Sequence, residues 1–238
     1  MELMTMATVQ LPVDLDYASL DTLSRDVHDA LASPAPIVRF VGATADTICL
    51  GLALRSPLTS ATPTHAFAAL LTTMHGSPKP LLAVVDGRAI GGGMGLACAC
   101  DWAVATERAT FALPELLWGL VPAIIWPVLA ERMAPHVVRQ WTVSAHARSA
   151  GEAHAAGLVD AVVPDALLDR AVARSARTLG RLDPVALQRL RGWMRESRRH
   201  TLPEALQLGA DVTADMLGRP AVERRWQAFA AGEAPWSV

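Results

Sequence analysis

The spacing of apolar and polar positions changes along the chain, and each change marks a predicted element. Residues 7–15 alternate well enough for an edge strand. Leu20, Leu23, Val27 and Leu31 then recur at the spacing of one helix face, predicting a helix over 20–32 that Ser33 and Pro34 stop. Short apolar runs at 37–41, 47–50, 80–86, 102–105 and 158–163 read as strands. Between them, residues 66–74, 94–100, 121–133, 136–143 and 150–156 read as helices. From residue 165 onward only helical spacing remains, over 165–179, 183–196, 202–217 and 221–231. Strands alternating with helices, then helices alone, predict an α/β core over 1–164 with a C-terminal helical cap over 165–238.

Composition narrows the class. A chain of 238 residues can bury the core of one α/β domain. Its net charge of −2 gives no electrostatic footprint for nucleic acid. A hydrophobic fraction of 52% excludes a disordered chain and suits a protein that buries surface against copies of itself. The first residues lack the basic-then-apolar order of a signal peptide, and no apolar run reaches the roughly twenty residues of a membrane span. A cytoplasmic protein is expected. Cys49, Cys98 and Cys100 lack CxxC spacing and read as buried thiols, and the seven histidines lack metal-binding spacing. His65 and His75 flank a segment that could border a site.

Candidate chemistry concentrates between residues 80 and 122. A strand-like run ends at Gly87, Gly91-Gly92-Gly93 opens a small-residue helix, and Glu115 follows in an apolar setting. Glycines at a strand-to-helix turn let backbone amides approach a ligand, and the helix start adds a positive dipole end. A bare glycine run is also an ordinary tight turn. This one lacks the last glycine of G-x-G-x-x-G and any following Gly-Lys-Ser/Thr, so it is neither a dinucleotide nor a phosphate fingerprint. Glu115 alone could be a surface glutamate at a helix start. If it faces Leu117 and Trp118, burial raises its pKa as a general acid or base near neutrality requires. Arg170, Arg174, Arg177 and Arg181 recur at helical spacing, and five more arginines follow between 189 and 199. They form either a solvated helix face or a landing surface for an acidic partner or a phosphate-bearing cofactor tail.

Residues 79–87, the Pro114–Gly119 block and the stretch 157–164 resemble the crotonase (enoyl-CoA hydratase/isomerase) superfamily. The resemblance implies an α/β crotonase fold of repeated ββα units with C-terminal trimerising helices, in a homotrimer or hexamer. It implies no cofactor beyond the acyl-CoA or phosphopantetheinyl thioester that carries the substrate, and no nucleic-acid or membrane partner. Carried over residue by residue, Glu115 is the catalytic acid–base, and the Leu52 and Gly92 amides form the oxyanion hole. Arg55, Gly91, Gly95 and Trp118 fall at substrate-binding positions. Hydratases of the family carry a second glutamate where this chain has Gly95, and an aspartate where it has Ala53. Residues 111–129, Gly95 and the ending at Trp236 are similar to the crotonase-type dehydratases of polyketide β-branching. Those enzymes remove water from a 3-hydroxy-3-methylglutaryl group on an acyl carrier protein. The implied function is an acyl-thioester dehydratase, with a double-bond isomerase, a decarboxylase or a non-catalytic binding subunit as alternatives.

Overall fold

The computed structural model describes residues 5–53 and 63–237, and the chain divides into two compact units, Met1–Gly180 and Arg181–Val238. The first unit contains two sheets. One has the order β1-β2-β4-β6-β9, from strands β1 (Met6–Leu11), β2 (Ile37–Gly42), β4 (Leu81–Val85), β6 (Trp102–Thr106) and β9 (Ala161–Val163). All its pairings are parallel. The other has the order β3-β5-β7-β8, from β3 (Thr47–Cys49), β5 (Arg88–Ile90), β7 (Thr110–Ala112) and β8 (Arg148–Ser149), antiparallel only between β7 and β8. Consecutive strands alternate between the sheets before a helix follows. Thus β2 and β3 precede α2 (Thr64–His75), and β4 and β5 precede α3 (Gly92–Cys98). This is the expected ββα repeat.

Burial explains the strand sequences. The residues Leu81, Ala83 and Val85 of β4 point into the main core with Val9, Leu11, Phe40 and the faces of α1 (Tyr17–Ala32) and α2. The alternate residues Leu82 and Val84 pack with Ile37 and Val104 against Val172, Ala176 and Leu179 of α7 (Leu168–Leu179). A strand covered on both faces reads as a continuous apolar run, which is how residues 80–86 read. Because α7 completes this second layer, the first unit continues to Gly180, past the Pro164 at which sequence pattern placed the boundary. The exposed Arg170, Arg174 and Arg177 lie on the opposite side of α7.

Two carboxylates pin the strand ends. Asp101 closes α3 by accepting from the Leu81 amide at 2.7 Å, while its own amide donates to the Leu81 carbonyl. Asp160 likewise accepts from the Ala103 amide at 2.7 Å and also pairs with Arg132. Carboxylates that accept from strand-end amides in place of missing ladder partners hold short strands in register.

The helix expected over 121–133 is shorter. After Gly119 the chain runs as turns to Ile125, and only Trp126–Arg132 is helical (α4). Pro122 and Pro127 bracket the turn, and Pro127 sits at the helix start, where its missing N–H costs nothing. Helices α5 (Pro135–Ser144) and α6 (Ala150–Ala155) follow. The second unit contains α8 (Pro184–Ser197), α9 (Leu202–Leu217) and α10 (Pro220–Ala230). Asp183 caps α8 through the Ala186 amide and receives Arg219 at 3.0 Å, tying the starts of α8 and α10 together. Neither α8 nor α9 has a buried residue, and Leu202, Leu206, Leu217 and Trp226 are exposed. No helix among the described residues is long and apolar enough to cross a membrane.

Candidate functional site

The adjacent parallel strands β3, β5 and β7 end side by side, and the chain leaving each one delivers part of a cavity. The exit of β3 supplies Leu50, Gly51 and Leu52; that of β5 supplies Gly91 and the start of α3; that of β7 leads through Pro114 to Glu115. Carboxyl ends of parallel strands are a common ligand position because the connections there diverge and leave a crevice. The cavity measures about 340 Å³, and Phe67, Ile90, Trp118, Leu120 and Ile125 make most of its wall apolar.

Leu52 faces the cavity because of how its segment is paired. In the parallel bridge between Leu15 and Leu52, the Leu15 amide donates to Gly51 O at 2.8 Å and the Ala53 amide to Leu15 O at 3.0 Å. Such a bridge uses the groups on either side of Leu52, so the Leu52 N–H points the other way. The Gly92 amide lies in the first turn of α3, where a helix supplies no acceptor. Neither amide donates to a described residue.

The glycines around them are required by contact. Gly51 has φ +88°, and a Cβ there would stand 2.9 Å from Gly92 N. Gly91 has φ +50°, and its Cβ would meet Glu115 Oε1 at 2.7 Å. Gly93 would drive a Cβ to 2.1 Å from the Cys49 carbonyl. The glycine run therefore lets α3 start against β3 and lets the Glu115 carboxylate lie over Gly91.

Glu115 begins the 3-10 turn Glu115–Trp118 and is half-buried. Its Oε2 is shielded from solvent and has no hydrogen-bond partner among the described residues. Desolvation raises its pKa above the ordinary glutamate value, opposed by its own backbone amide. A buried, unpaired carboxyl oxygen in a cavity is costly unless the site uses it.

The Leu117 and Trp118 environment expected for Glu115 requires correction. Leu117 is 74% exposed and does not line the cavity, while Trp118 lines it but is 71% exposed. In a 3-10 turn positions i and i+3 share a face, so Trp118 lies on the cavity side with Glu115 while Leu117 turns to solvent. The structure places Gly95, expected at a substrate-binding position, behind the cavity wall with Ile125 between. Arg55 falls in 54–62, outside the described residues. His65 is exposed, and His75 pairs with Glu131 at 3.5 Å; neither lines the cavity. Cys49 and Cys98 are buried, with thiols pushed up to about 11 and about 12 by desolvation, so neither presents a thiolate. Sequence reasoning missed Phe67 and Ile125 as lining residues. Phe67 belongs to the apolar stripe of α2, and nothing in that spacing separates a core position from a cavity position.

A model of the family described as enoyl-CoA hydratase/isomerase matches residues 47–236. Among curated proteins, 2,3-dehydroadipyl-CoA hydratase of Escherichia coli (strain K12) is 34% identical over 129 residues, covering 54% of this chain and 51% of that protein. Carnitinyl-CoA dehydratase of Salmonella typhi is 35% identical over 122 residues, covering 51% of this chain and 47% of that protein. The matched stretch thus spans about half the length of these relatives. Among solved structures, an enoyl-CoA hydratase from Bacillus anthracis superposes with TM-score 0.83 over 96% of this chain and 94% of its own, at 23% identity. At that identity the likeness concerns the fold.

Proposed function

The chain belongs to the enoyl-CoA hydratase/isomerase family, and from that membership we propose that it removes water from a 3-hydroxyacyl thioester in polyketide-type biosynthesis. The observation that carries the proposal is the convergence on one cavity of one oxygen of a half-buried carboxylate and of two amides, from Leu52 and Gly92, none of which has a hydrogen-bond partner among the described residues. The thioester carbonyl oxygen accepts from both amides, which favours the enolate as charge moves onto that oxygen. Glu115, as carboxylate, takes the proton from C2. The enolate re-forms the carbonyl, C2–C3 becomes a double bond, and the C3–O bond breaks. The hydroxyl leaves with the proton that Glu115 returns, so one water departs and the carboxylate is regenerated.

The two named relatives are a hydratase and a dehydratase of CoA thioesters, which supports this reaction class. The acyl group rides on CoA or, in our reading, on the phosphopantetheine of an acyl carrier protein, with the exposed Arg170, Arg174 and Arg177 of α7 receiving the acidic carrier. The uncovered apolar faces of α8 and α9 support assembly as a homotrimer or hexamer. The protein works in the cytoplasm in this reading. A second reading, migration of an enoyl double bond, is favoured by one fact: Glu115 is the only carboxylate among the described residues that line the cavity. One carboxylate that carries a proton between two carbons suffices for it.

Intact-protein mass spectrometry of a carrier protein loaded with 3-hydroxy-3-methylglutarate decides the matter. Loss of one water with wild type but not with Glu115→Gln is the expected result. No mass change under either condition overturns dehydration of that group. Mass is blind to double-bond migration, so deuterium uptake by an enoyl thioester then scores the second reading.

A further inference from the structure

Gly95, which by the family resemblance falls where hydratases carry a second glutamate, has no room for a side chain because the volume above it is already filled. A Cβ on Gly95 would meet Ile125 Cγ2 at 2.4 Å and Ile125 Cβ at 3.0 Å, with Phe67 Cζ at 3.8 Å. Gly95 is buried within α3, so its backbone has little freedom to retreat. Ile125 is 3% exposed, sits at the N-cap of α4 and lines the cavity with Glu115 and Gly92. The absent carboxylate is therefore replaced by a branched side chain delivered from the next segment, and that part of the wall offers no hydrogen bond to a water molecule.

We propose that Ile125 determines reaction specificity by occupying the Gly95 volume, which bars a second acid–base group and its bound water there and leaves Glu115 as the sole carboxylate proton carrier among the described residues. The inference rests on the thioester reading above and adds to it a residue and a steric reason. Any removal or addition of water must then use one carboxylate in both directions. An elimination divided between two groups is closed to this site. The same methyl-lined wall selects acyl groups that place carbon, rather than a polar substituent, against Ile125 and Phe67.

The first test is a thermal-stability cycle. Gly95→Ala lowers Tm by several degrees in the wild-type background and by much less beside Ile125→Ala, because the two side chains compete for one volume. Equal cost in both backgrounds overturns the proposal. The second compares Gly95→Glu with Ile125→Gly in one chain against Ile125→Gly alone, using 3-hydroxybutyryl-CoA and crotonyl-CoA as probes. The combined variant gains at least about tenfold in water loss and, by the same factor, in water addition. Its kcat/KM profile becomes bell-shaped where the wild-type profile has a single ascending limb. A folded combined variant no faster than Ile125→Gly overturns the proposal, and if that variant fails to fold the stability cycle decides. Absence of wild-type turnover on every thioester sinks the functional reading instead, while the cycle still scores competition between the two side chains.

Discussion

On the glycine wall of the cavity close backbone contacts set the positions of Gly51 and Gly92, whereas the wall from residue 115 to residue 125 is made of side chains on turns. An added Cβ at Gly51 would stand 2.9 Å from the Gly92 nitrogen, and one at Gly93, next behind the wall, 2.1 Å from the Cys49 carbonyl oxygen, while at Gly119, in the segment of the other wall, nothing lies within 4 Å. The first wall is buried; on the second, Leu117, Trp118 and Val121 are exposed. The difference divides the labour of the site. Amides that must point at one oxygen come from close-packed backbone that tolerates no side chain. The proton carrier and the residue that shapes the reaction come from turns, where side chains rather than backbone form the wall, exposed at residues 117 and 118 and buried at Ile125.

The largest expected effect falls on the second wall. Glu115→Gln should reduce kcat by about a hundredfold to ten-thousandfold, since no other carboxylate among the described residues lines the cavity. Circular dichroism and chromatographic size should be unchanged, and the variant should be at least as thermally stable as wild type at neutral pH. Retained activity with folding intact would move the acid–base role away from Glu115 and break the division between the walls.

Next comes the glycine wall. Gly51→Ala places a methyl 2.9 Å from Gly92 N at a left-handed φ, so it should lower kcat by about a hundredfold to a thousandfold. A melting temperature several degrees lower should accompany that loss, because strain and catalysis share the same backbone there. A variant with lowered Tm but full kcat would show the amide pair to be dispensable.

The pH dependence is a smaller and more specific effect. Desolvation holds Glu115 above the ordinary glutamate value, and the carboxylate is the working base. The kcat/KM of wild type should therefore rise about tenfold per pH unit and level off at a higher pH than a surface glutamate would give. The stability linkage has the matching sign. A raised folded-state pKa contributes stability that is present below the unfolded pKa and is lost as pH rises through the folded one. Relative to Glu115→Gln, wild type should lose stability across that window, as read from paired melting curves.

The smallest effect sharpens the contrast. Leu117→Ser, at a side chain 74% exposed and outside the cavity lining, should change unfolding free energy by no more than about 0.5 kcal/mol in denaturant titration. Trp118→Ala should be similarly mild for stability but should raise KM, because Trp118 lines the cavity rim.

The longer elements were legible because their burial leaves a periodic mark. The buried face of α1, with Leu20, Leu23 and Val27, repeats at helical spacing, and β4 is apolar throughout because both faces are covered. Strands of two or three residues, β5, β7 and β8, carry too few positions for any period to register. Residues 121–125 read as helix because their apolar side chains suit one, although they run as turns after Pro122 and line the cavity. The glycine run, Leu52 and Glu115 were legible as motif positions. The consequence of Gly95 was not, since its occupant lies thirty positions along the chain.

The sequence by itself determined the alternation of strands and helices, the positions of the small residues and the presence of one carboxylate in an apolar stretch. These are local properties, written in period and residue type. Only the tertiary structure decided that β3, β5 and β7 end side by side, that α7 belongs with the first unit and that Ile125 fills the Gly95 volume. Each is a contact between segments distant in sequence, set by which buried faces fit together. No local pattern encodes that choice.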